Sequence, residues 1–495
     1  MTAWSQGYVA DSPYTFSYQS GLVPTQLNMV CALMGVAWQV RPDLVVADIG
    51  CGRGYTVNTL AAANPGWTVL GLDYNPAHIA EAASLAERAR IENAVFVEAD
   101  LASMTDAEID RLPPLDVATL HGVWTWVGDP VREGIIRLLA RRLKPGGLVY
   151  VGYNALPGFG PNAALQRLFR HASAVQPSGS VRARTEGATE IVRQLLETKP
   201  AHLPLTPLLQ AMVDKDDRLN PAYLVHELMT EHWRPVFFED LAQAMGQAKL
   251  QYVGSVTLHE NIPDTLFSPE QRALYEATPP GPMRELVKDI CIQRPFRRDV
   301  FARGLVRTDP DQAVDDLVLA ASLEPAAEPP KVKVPVGEAE MGAAMWAPMA
   351  EALRQGPCRL GDLRALAPGR PPNPGELLMS LTGAGHTLPV LRDSGPTPQT
   401  AALNRLVARD YVLDGRTGSQ LAMASPVAGA GMACTWLELA VSVQPESSGG
   451  DTPDTGAMAA RLLGPLNEED LAEAAGVIAR MIQDRRPVWR RFGII

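Results

Sequence analysis

Residues 45–55 read VVADIGCGRGY. The apolar run LVVADIG (44–50) ends in a glycine-rich turn, and a helix-like stretch follows from Tyr55 to about Ala63. Asp48, Gly50, Gly52 and Gly54 stand as D-x-G-x-G-x-G across that junction. Glycines there let the backbone turn tightly and let a ligand approach it. The same alternation continues outward. NPG (64–66) stops the helix, and WTVLGLD (67–73) reads as the next strand. Asn75 and Pro76 look like a cap and first turn. AVFVEAD (94–100), LDVATL (115–120) and LVYVGYN (148–154) are three more strands, with a helix after Asp129-Pro130. Apolar strands separated by helices predict βαβ units and a parallel sheet covered on both faces. The expected class is α/β, with a Rossmann-like sheet.

Asp73 ends the second strand, where a carboxylate can accept hydrogen bonds from both hydroxyls of a ribose. Asp100 ends the third, within reach of the exocyclic amine of an adenine. Together these describe a nucleoside across the carboxyl ends of parallel strands. A dinucleotide needs G-x-G-x-x-G, with its pyrophosphate on the helix N-terminus. Here Tyr55 stands where that third glycine belongs, and Asp48 suits a cationic ligand better than a pyrophosphate. S-adenosylmethionine carries a sulfonium and an ammonium and no phosphate, so it is favoured over NAD. A bare tight turn is the bland alternative, and Asp73 and Asp100 weigh against it.

The chain has 495 residues, 46% hydrophobic, with formal net charge −11. That length predicts two to four domains. No basic arm or stripe points to nucleic acid. The five cysteines (Cys31, Cys51, Cys291, Cys358, Cys434) are scattered without a CxxC pair, which suits a reducing compartment. Neither a signal-peptide pattern nor an apolar run of about 20 residues is present, so no membrane insertion is expected and cytoplasm is the default. His226 and Glu227 form an HE pair, but His232 follows at the wrong phase for a zincin site, and no metal is expected. RPFRRD (294–299) reads as a solvated helix face. The expected divisions are a catalytic domain (1–160 and 232–260), a helical insertion (161–231), a helical middle region (261–325), a linker (326–338), and a C-terminal α+β accessory domain (339–495). A wing-like strand is expected at 386–393, giving that last domain a winged-helix character.

Several further segments narrow the reading. They are GYVADSPYTFSYQSGLVP (7–24), HGVWTWV (121–127), VGYNALPGFGP (151–161), LVHELMTEHWRPVFFEDLAQAMGQAKLQYVG (224–254) and RPFRRDVFARG (294–304). With the glycine motif, the chain resembles seven-stranded, S-adenosylmethionine-dependent methyltransferases bearing a methyltransferase regulatory domain. That group includes bacterial protein-lysine methyltransferases acting on outer-membrane proteins. The resemblance implies lysine N-methylation of a protein substrate, while self-association into a homodimer stays open. It also implies a donor site completed by Tyr14, Cys51, Tyr74, Leu101 and His121.

Methyl transfer from a sulfonium mainly requires alignment and exclusion of water. A lysine acceptor must first lose a proton from a group whose ordinary pKa is about 10.4. A dry, aromatic slot lowers that pKa and holds the cationic product. The loops after the fourth and fifth strands border the methyl in this fold, which selects His121, Trp124, Trp126, Tyr153 and Asn154. His121 is a proton acceptor or cofactor ligand, or else a histidine capping its strand. Trp124 and Trp126 alternate, so an extended loop would point both one way; packing under the next helix is the competing account. Tyr153 and Asn154 would orient the nucleophile, or simply end the strand. Tyr8 and Tyr14 are candidate lid residues, or loose aromatics without function. A small-molecule N- or O-methyltransferase, and a cofactor-binding regulator without turnover, remain alternatives.

Overall fold

A computed structural model describes residues 7, 14–177, 179–214, 221–413, 420–444, 454–464 and 467–495. Tyr8 lies outside the described residues. Seven strands form one sheet: β1 (Val45–Ile49), β2 (Thr68–Asp73), β3 (Ala94–Glu98), β4 (Leu115–His121), β5 (Leu143–Asn154), β6 (Leu250–Ser255) and β7 (Phe296–Arg303). Their order is 3-2-1-4-5-7-6. The first five pair in parallel, and β7 runs antiparallel between β5 and β6. Residues 46–49 of β1 are all buried, as a central strand covered on both faces requires.

Alternation assigns the two faces. Val46, Val117, Tyr150 and Val300 join a core with α1 (Pro24–Leu33), α2 (Tyr55–Ala63) and α3 (Pro76–Ala89). Ala47, Ile49, Val151 and Tyr153 join the opposite core, where α4 (Asp106–Arg111) and α5 (Asp129–Arg142) pack. Four helices follow β5: α6 (Ala163–Ala174), α7 (Val181–Glu197), α8 (Pro207–Val213) and α9 (Pro221–Leu228). They share a small core of their own around Phe169, Val192, Leu209 and Leu228. α10 (Phe238–Gln247) returns the chain to the second sheet face, and α11 (Pro269–Ala277) and α12 (Pro282–Cys291) precede β7.

Three expectations are corrected here. Residues 261–325 are not wholly helical, and RPFRRD is not a solvated helix face. Residues 296–303 are an inner strand, and Arg294 and Arg297 are buried. The charges mask an apolar alternation because they serve a buried ionic cluster. Arg297 donates to Asp299 Oδ2 (2.7 Å), Asp289 Oδ2 (2.7 Å) and Glu285 Oε2 (2.8 Å), and its guanidinium lies 4.3 Å from the centre of the Phe238 ring. Such a network satisfies charges that would otherwise be too costly to bury.

The third correction concerns residues 326–338, which do not separate two independent units. A strand before them (Val318–Ala321) pairs with Cys358–Arg359 and Thr387–Pro389 beyond them. Lys331–Val334, inside the expected linker, pairs as a hairpin with Gly337–Glu340, which runs past its end. The glycine-rich stretch near 421–432 is a second hairpin, Leu421–Ser425 with Ala430–Cys434, and it packs on α2. Asn64 Nδ2 donates to the Gly429 carbonyl (2.8 Å), and the Gly431 amide donates to the Tyr18 hydroxyl (2.7 Å). The C-terminal residues therefore share one core with the first sheet face. Among the described residues, no helix is long and apolar enough to cross a membrane.

The substitution Arg297→Met would leave Asp289, Asp299 and Glu285 buried without their shared cation. Removing one partner of a buried ionic group costs about 3–5 kcal/mol. Urea unfolding should show that loss, and an unchanged midpoint would refute the assignment of a stabilising cluster.

Candidate functional site

The turn after β1 is held by its glycines. Gly50, Gly52 and Gly54 have φ of 79°, 53° and 74°, a left-handed conformation that side chains rarely adopt. Space is closed as well as conformation. A Cβ on Gly50 would stand 2.3 Å from Val123 Cγ2, and one on Gly54 would stand 2.3 Å from Ala82 Cβ. The Gly52 amide donates to Asp73 Oδ2 (2.8 Å), and the Asn75 amide donates to Asp73 Oδ1 (2.9 Å). Oδ1 is also met by His78 Nδ1 (3.3 Å), so it is Oδ2 that keeps a second acceptor position for a ribose hydroxyl.

A cavity of about 680 Å³ opens over the carboxyl ends of the strands. Asp73, Tyr74, Asp100 and Leu101 line one end of it. Asp100 accepts from the Ala102 amide (3.1 Å) and the Ser103 hydroxyl (2.8 Å), which fixes its carboxylate at the rim. A smaller pocket beside the glycine turn is lined by Asp48, Cys51, Gly54 and Thr56. Tyr14 and His121 border both spaces. Asp48 accepts from the Thr119 hydroxyl (2.7 Å), and burial pushes its carboxyl up to about 6. Arg53, the cation of the turn, is committed to Glu81 (2.6 and 2.8 Å). A pyrophosphate would find no such cation, whereas a ligand with positive groups finds Asp48.

His121 Nδ1 lies 2.7 Å from the Tyr150 hydroxyl. Burial, with Arg298 nearby, pushes the imidazole down to about 4, so the ring is neutral at neutral pH. Trp126 lines the cavity, but Trp124 does not. Trp124 is buried in the second core, its ring 5.3 Å from the Arg132 guanidinium carbon. The reason is local: residues 124–126 form a 3₁₀ turn, not an extended loop. With three residues per turn, positions two apart point to different sides.

Tyr153 and Asn154 are corrected as well, because neither lines the cavity. Tyr153 sits on the second sheet face, opposite Arg297 in register, and donates to Asp299 Oδ2 (2.8 Å). Asn154 is buried at the end of β5, and its Nδ2 donates to Glu227 Oε1 (3.0 Å). That contact leads to residues absent from the sequence reading of the site. Tyr223, His226 and Glu227 of α9, then Glu231, His232 and Trp233, line the cavity opposite the strand ends. Tyr14 meets His226 edge to face, with ring centres 4.9 Å apart. The signal for this wall in the sequence is the pair His226-Glu227, whose spacing to His232 excludes a zincin site but not a role in the cavity. Among the described residues no cluster is arranged to hold a metal ion.

Comparison with known proteins follows this division. Residues 47–149 match a model of a methyltransferase domain, and residues 220–303 match a predicted methyltransferase regulatory domain. An uncharacterised protein of Synechocystis is 30% identical over 446 residues, covering 88% of this chain and 87% of that protein. PKMT2 from Rickettsia typhi, solved in complex with AdoHcy, has the same fold at a TM-score of 0.70 and 16% identity, covering 97% of this chain and 99% of that one. A trans-aconitate 2-methyltransferase of Methylobacterium nodulans is 36% identical over 106 residues, 21% of this chain and 36% of that protein.

The chain belongs to the seven-stranded methyltransferases that carry a methyltransferase regulatory domain. Its cofactor is S-adenosylmethionine, which supplies an electrophilic methyl on sulfur. The residues present fit it: a glycine cradle that a Cβ would fill, Asp73 for the ribose, and Asp48 in place of a phosphate-binding cation. The regulatory segment of this methyltransferase supplies both β6 and β7 and the wall that faces the donor edge.

Replacing Asp73 by Ala removes the ribose acceptor, and charge-assisted hydrogen bonds contribute roughly 1.5–3 kcal/mol each. Donor affinity measured by calorimetry should fall at least about tenfold. The two tryptophans should separate: Trp124→Ala loses about 3–5 kcal/mol of stability, whereas Trp126→Ala leaves the melting temperature nearly unchanged and lowers turnover. Equal effects on both measurements would contradict their different positions.

Proposed function

We propose that this methyltransferase transfers methyl to the side-chain nitrogen of lysine on a protein. The observation that carries the reading is the second half of the cavity. Besides the residues of the donor edge, its walls include Trp126, Trp233, Glu227 and Glu231. Aromatic faces with carboxylates suit a long cationic side chain, and such faces also hold its methylated product. An anionic acceptor such as trans-aconitate suits this end poorly. The match to trans-aconitate 2-methyltransferase spans only 106 residues and supports donor binding rather than a shared acceptor. The full-length likeness to PKMT2 and the resemblance of the sequence to protein-lysine methyltransferases support the same choice.

His121 fits a supporting role. Being neutral, it adds no positive charge beside a sulfonium, and the Tyr150 contact fixes its ring. The cavity walls align the acceptor and exclude water, which is most of what this displacement needs.

The test is incubation of the purified protein with methyl-labelled donor and a cell lysate, then acid hydrolysis of labelled bands. Label should be recovered as methyl-lysine. Label confined to small molecules, or to another amino acid, overturns the reading.

A further inference from the structure

We propose that Glu227, with Tyr14 and Tyr223, forms the acceptor subsite and that its carboxylate takes the proton from the substrate ammonium; this rests on the amine-methylation reading above. The geometry starts from an anomaly. Glu227 is only 3% exposed, yet it lines the cavity; its carboxyl accepts from Asn154 Nδ2 (3.0 Å), and the other groups that act on it, Trp233 and Tyr223, are neutral. Among the described residues, no arginine or lysine forms an ion pair with it, and Arg234 of the same cavity pairs with Asp129. The buried acids of the Arg297 cluster, in contrast, each have a cation. A buried carboxyl without one is costly, and glutamine would fill the same space at less cost. The missing cation is what an ammonium substrate would bring.

Aromatic groups complete the subsite. Tyr14 and Tyr223 lie close enough to Glu227 for each to feel its charge. Burial pushes Glu227 up to about 8, opposed by Trp233, Asn154 and Tyr223. Burial also pushes Tyr14 up to about 12, and the Glu227 charge adds to that, so the phenol stays protonated. Other titratable groups face the same cavity: His226 beside it on α9, Glu231, His232 and Arg234 after that helix. Asp129 at the start of α5 and His121 at the end of β4 face it from the sheet side. Arg234 is paired with Asp129 and is thereby diverted from Glu227.

The smaller pocket argues against a rival role. It holds the glycine turn with Asp48, Thr15 and Gln19, and Glu227 is not among its walls. Asp48 is therefore placed for the ammonium of the donor, and Glu227 for that of the acceptor.

The step balances. One N–H proton passes from the substrate ammonium to a Glu227 carboxylate oxygen, leaving a neutral amine. Its lone pair attacks the donor methyl carbon; the new N–C bond forms as C–S breaks, and that electron pair stays on sulfur. Positive charge moves from sulfur to nitrogen, and protonated Glu227 returns its proton to water. A base near 8 is suited to this exchange, because efficient proton transfer needs a pKa near the working pH.

The test uses the full chain and the variants Glu227→Gln and Glu227→Asp, with three measurements. S-adenosylhomocysteine binding by calorimetry should stay within about threefold in both variants, which also reports folding. With S-adenosylhomocysteine bound, Nα-acetyl-lysine methylamide should bind the wild-type protein and bind Glu227→Gln at least tenfold more weakly at pH 8. Turnover should fall about 10²–10⁴-fold in Glu227→Gln, with partial recovery in Glu227→Asp. In the wild-type protein kcat/KM should rise with pH to a plateau above about 8, and that rise should vanish in Glu227→Gln. Loss of S-adenosylhomocysteine binding in Glu227→Gln would overturn the assignment in favour of a donor contact. Failure of the wild-type complex to bind the lysine probe would also overturn it. Methyl-lysine formation at wild-type rate by Glu227→Gln sinks this proposal and leaves the lysine reading standing. Transfer to a small amine that depends on Glu227 does the reverse.

Discussion

The hydrogen bond from the Gly52 amide to Asp73 Oδ2 joins the turn after β1 to the end of β2. It is possible only because Gly52 is left-handed, and the glycines on either side share that conformation. The result is a backbone cradle whose inner surface lacks side chains, beside a carboxylate already fixed in place. The carboxylate is therefore preorganised, and a ligand hydroxyl reaching it would not have to order it. Tyr14 covers the cradle, at 3.7 Å from where a Gly52 Cβ would be. Its amide approaches His78 Nε2 (3.4 Å), and the same histidine lies 3.3 Å from Asp73 Oδ1. Tyr14, His78, Asp73 and the turn are thus one connected unit.

The C-terminal region belongs to that unit. Helix α2 begins at Tyr55, immediately after the turn, and the Tyr55 hydroxyl bonds to the backbone of Ala422 in the hairpin. Phe16 stacks between Tyr55 and Tyr411, with ring centres 4.4 and 3.7 Å away. Tyr411 donates to Glu81 (2.7 Å), the acid that holds Arg53. The residues behind the glycine cradle are therefore clamped by a segment more than 300 positions away in the sequence. These contacts belong to the single core that the two regions share.

Legibility in the sequence followed the source of each signal. The first five strands and the donor residues depend on local patterns: apolar runs, glycines at fixed spacing, and acids at strand ends. All of these are visible in one dimension. β7 was not, because Arg297 and Asp299 stand where an inner strand normally carries apolar side chains. Their partners Glu285 and Asp289 lie on α12, a helix with no obvious tie to the sheet in sequence. Tyr153 failed for the same reason; the face it occupies was already claimed by that ion cluster. Glu227 was hidden differently. It reaches the cavity only because α6–α9 fold over the sheet edge, and Asn154, itself misread as a substrate contact, is the residue that holds it there.

The segment WTW at 124–126 shows how closely wall and frame are coupled. Each residue in it has a separate task. Trp124 anchors the turn in the second core, and its carbonyl accepts from Arg132 Nε (3.0 Å) and Nη2 (2.7 Å). Thr125 ties two elements together: its hydroxyl accepts from the Asn154 amide (3.1 Å), and its carbonyl accepts from the Arg234 amide (2.9 Å). Trp126 alone faces the cavity. The position of the wall is thus fixed by a core contact on one side and by the end of β5 and the chain after α9 on the other. Asn154 is shared by this staple and by the Glu227 contact. A shift at Asn154 would therefore move Trp126 and Glu227 together, so these two parts of the cavity wall keep their spacing because one strand end sets both.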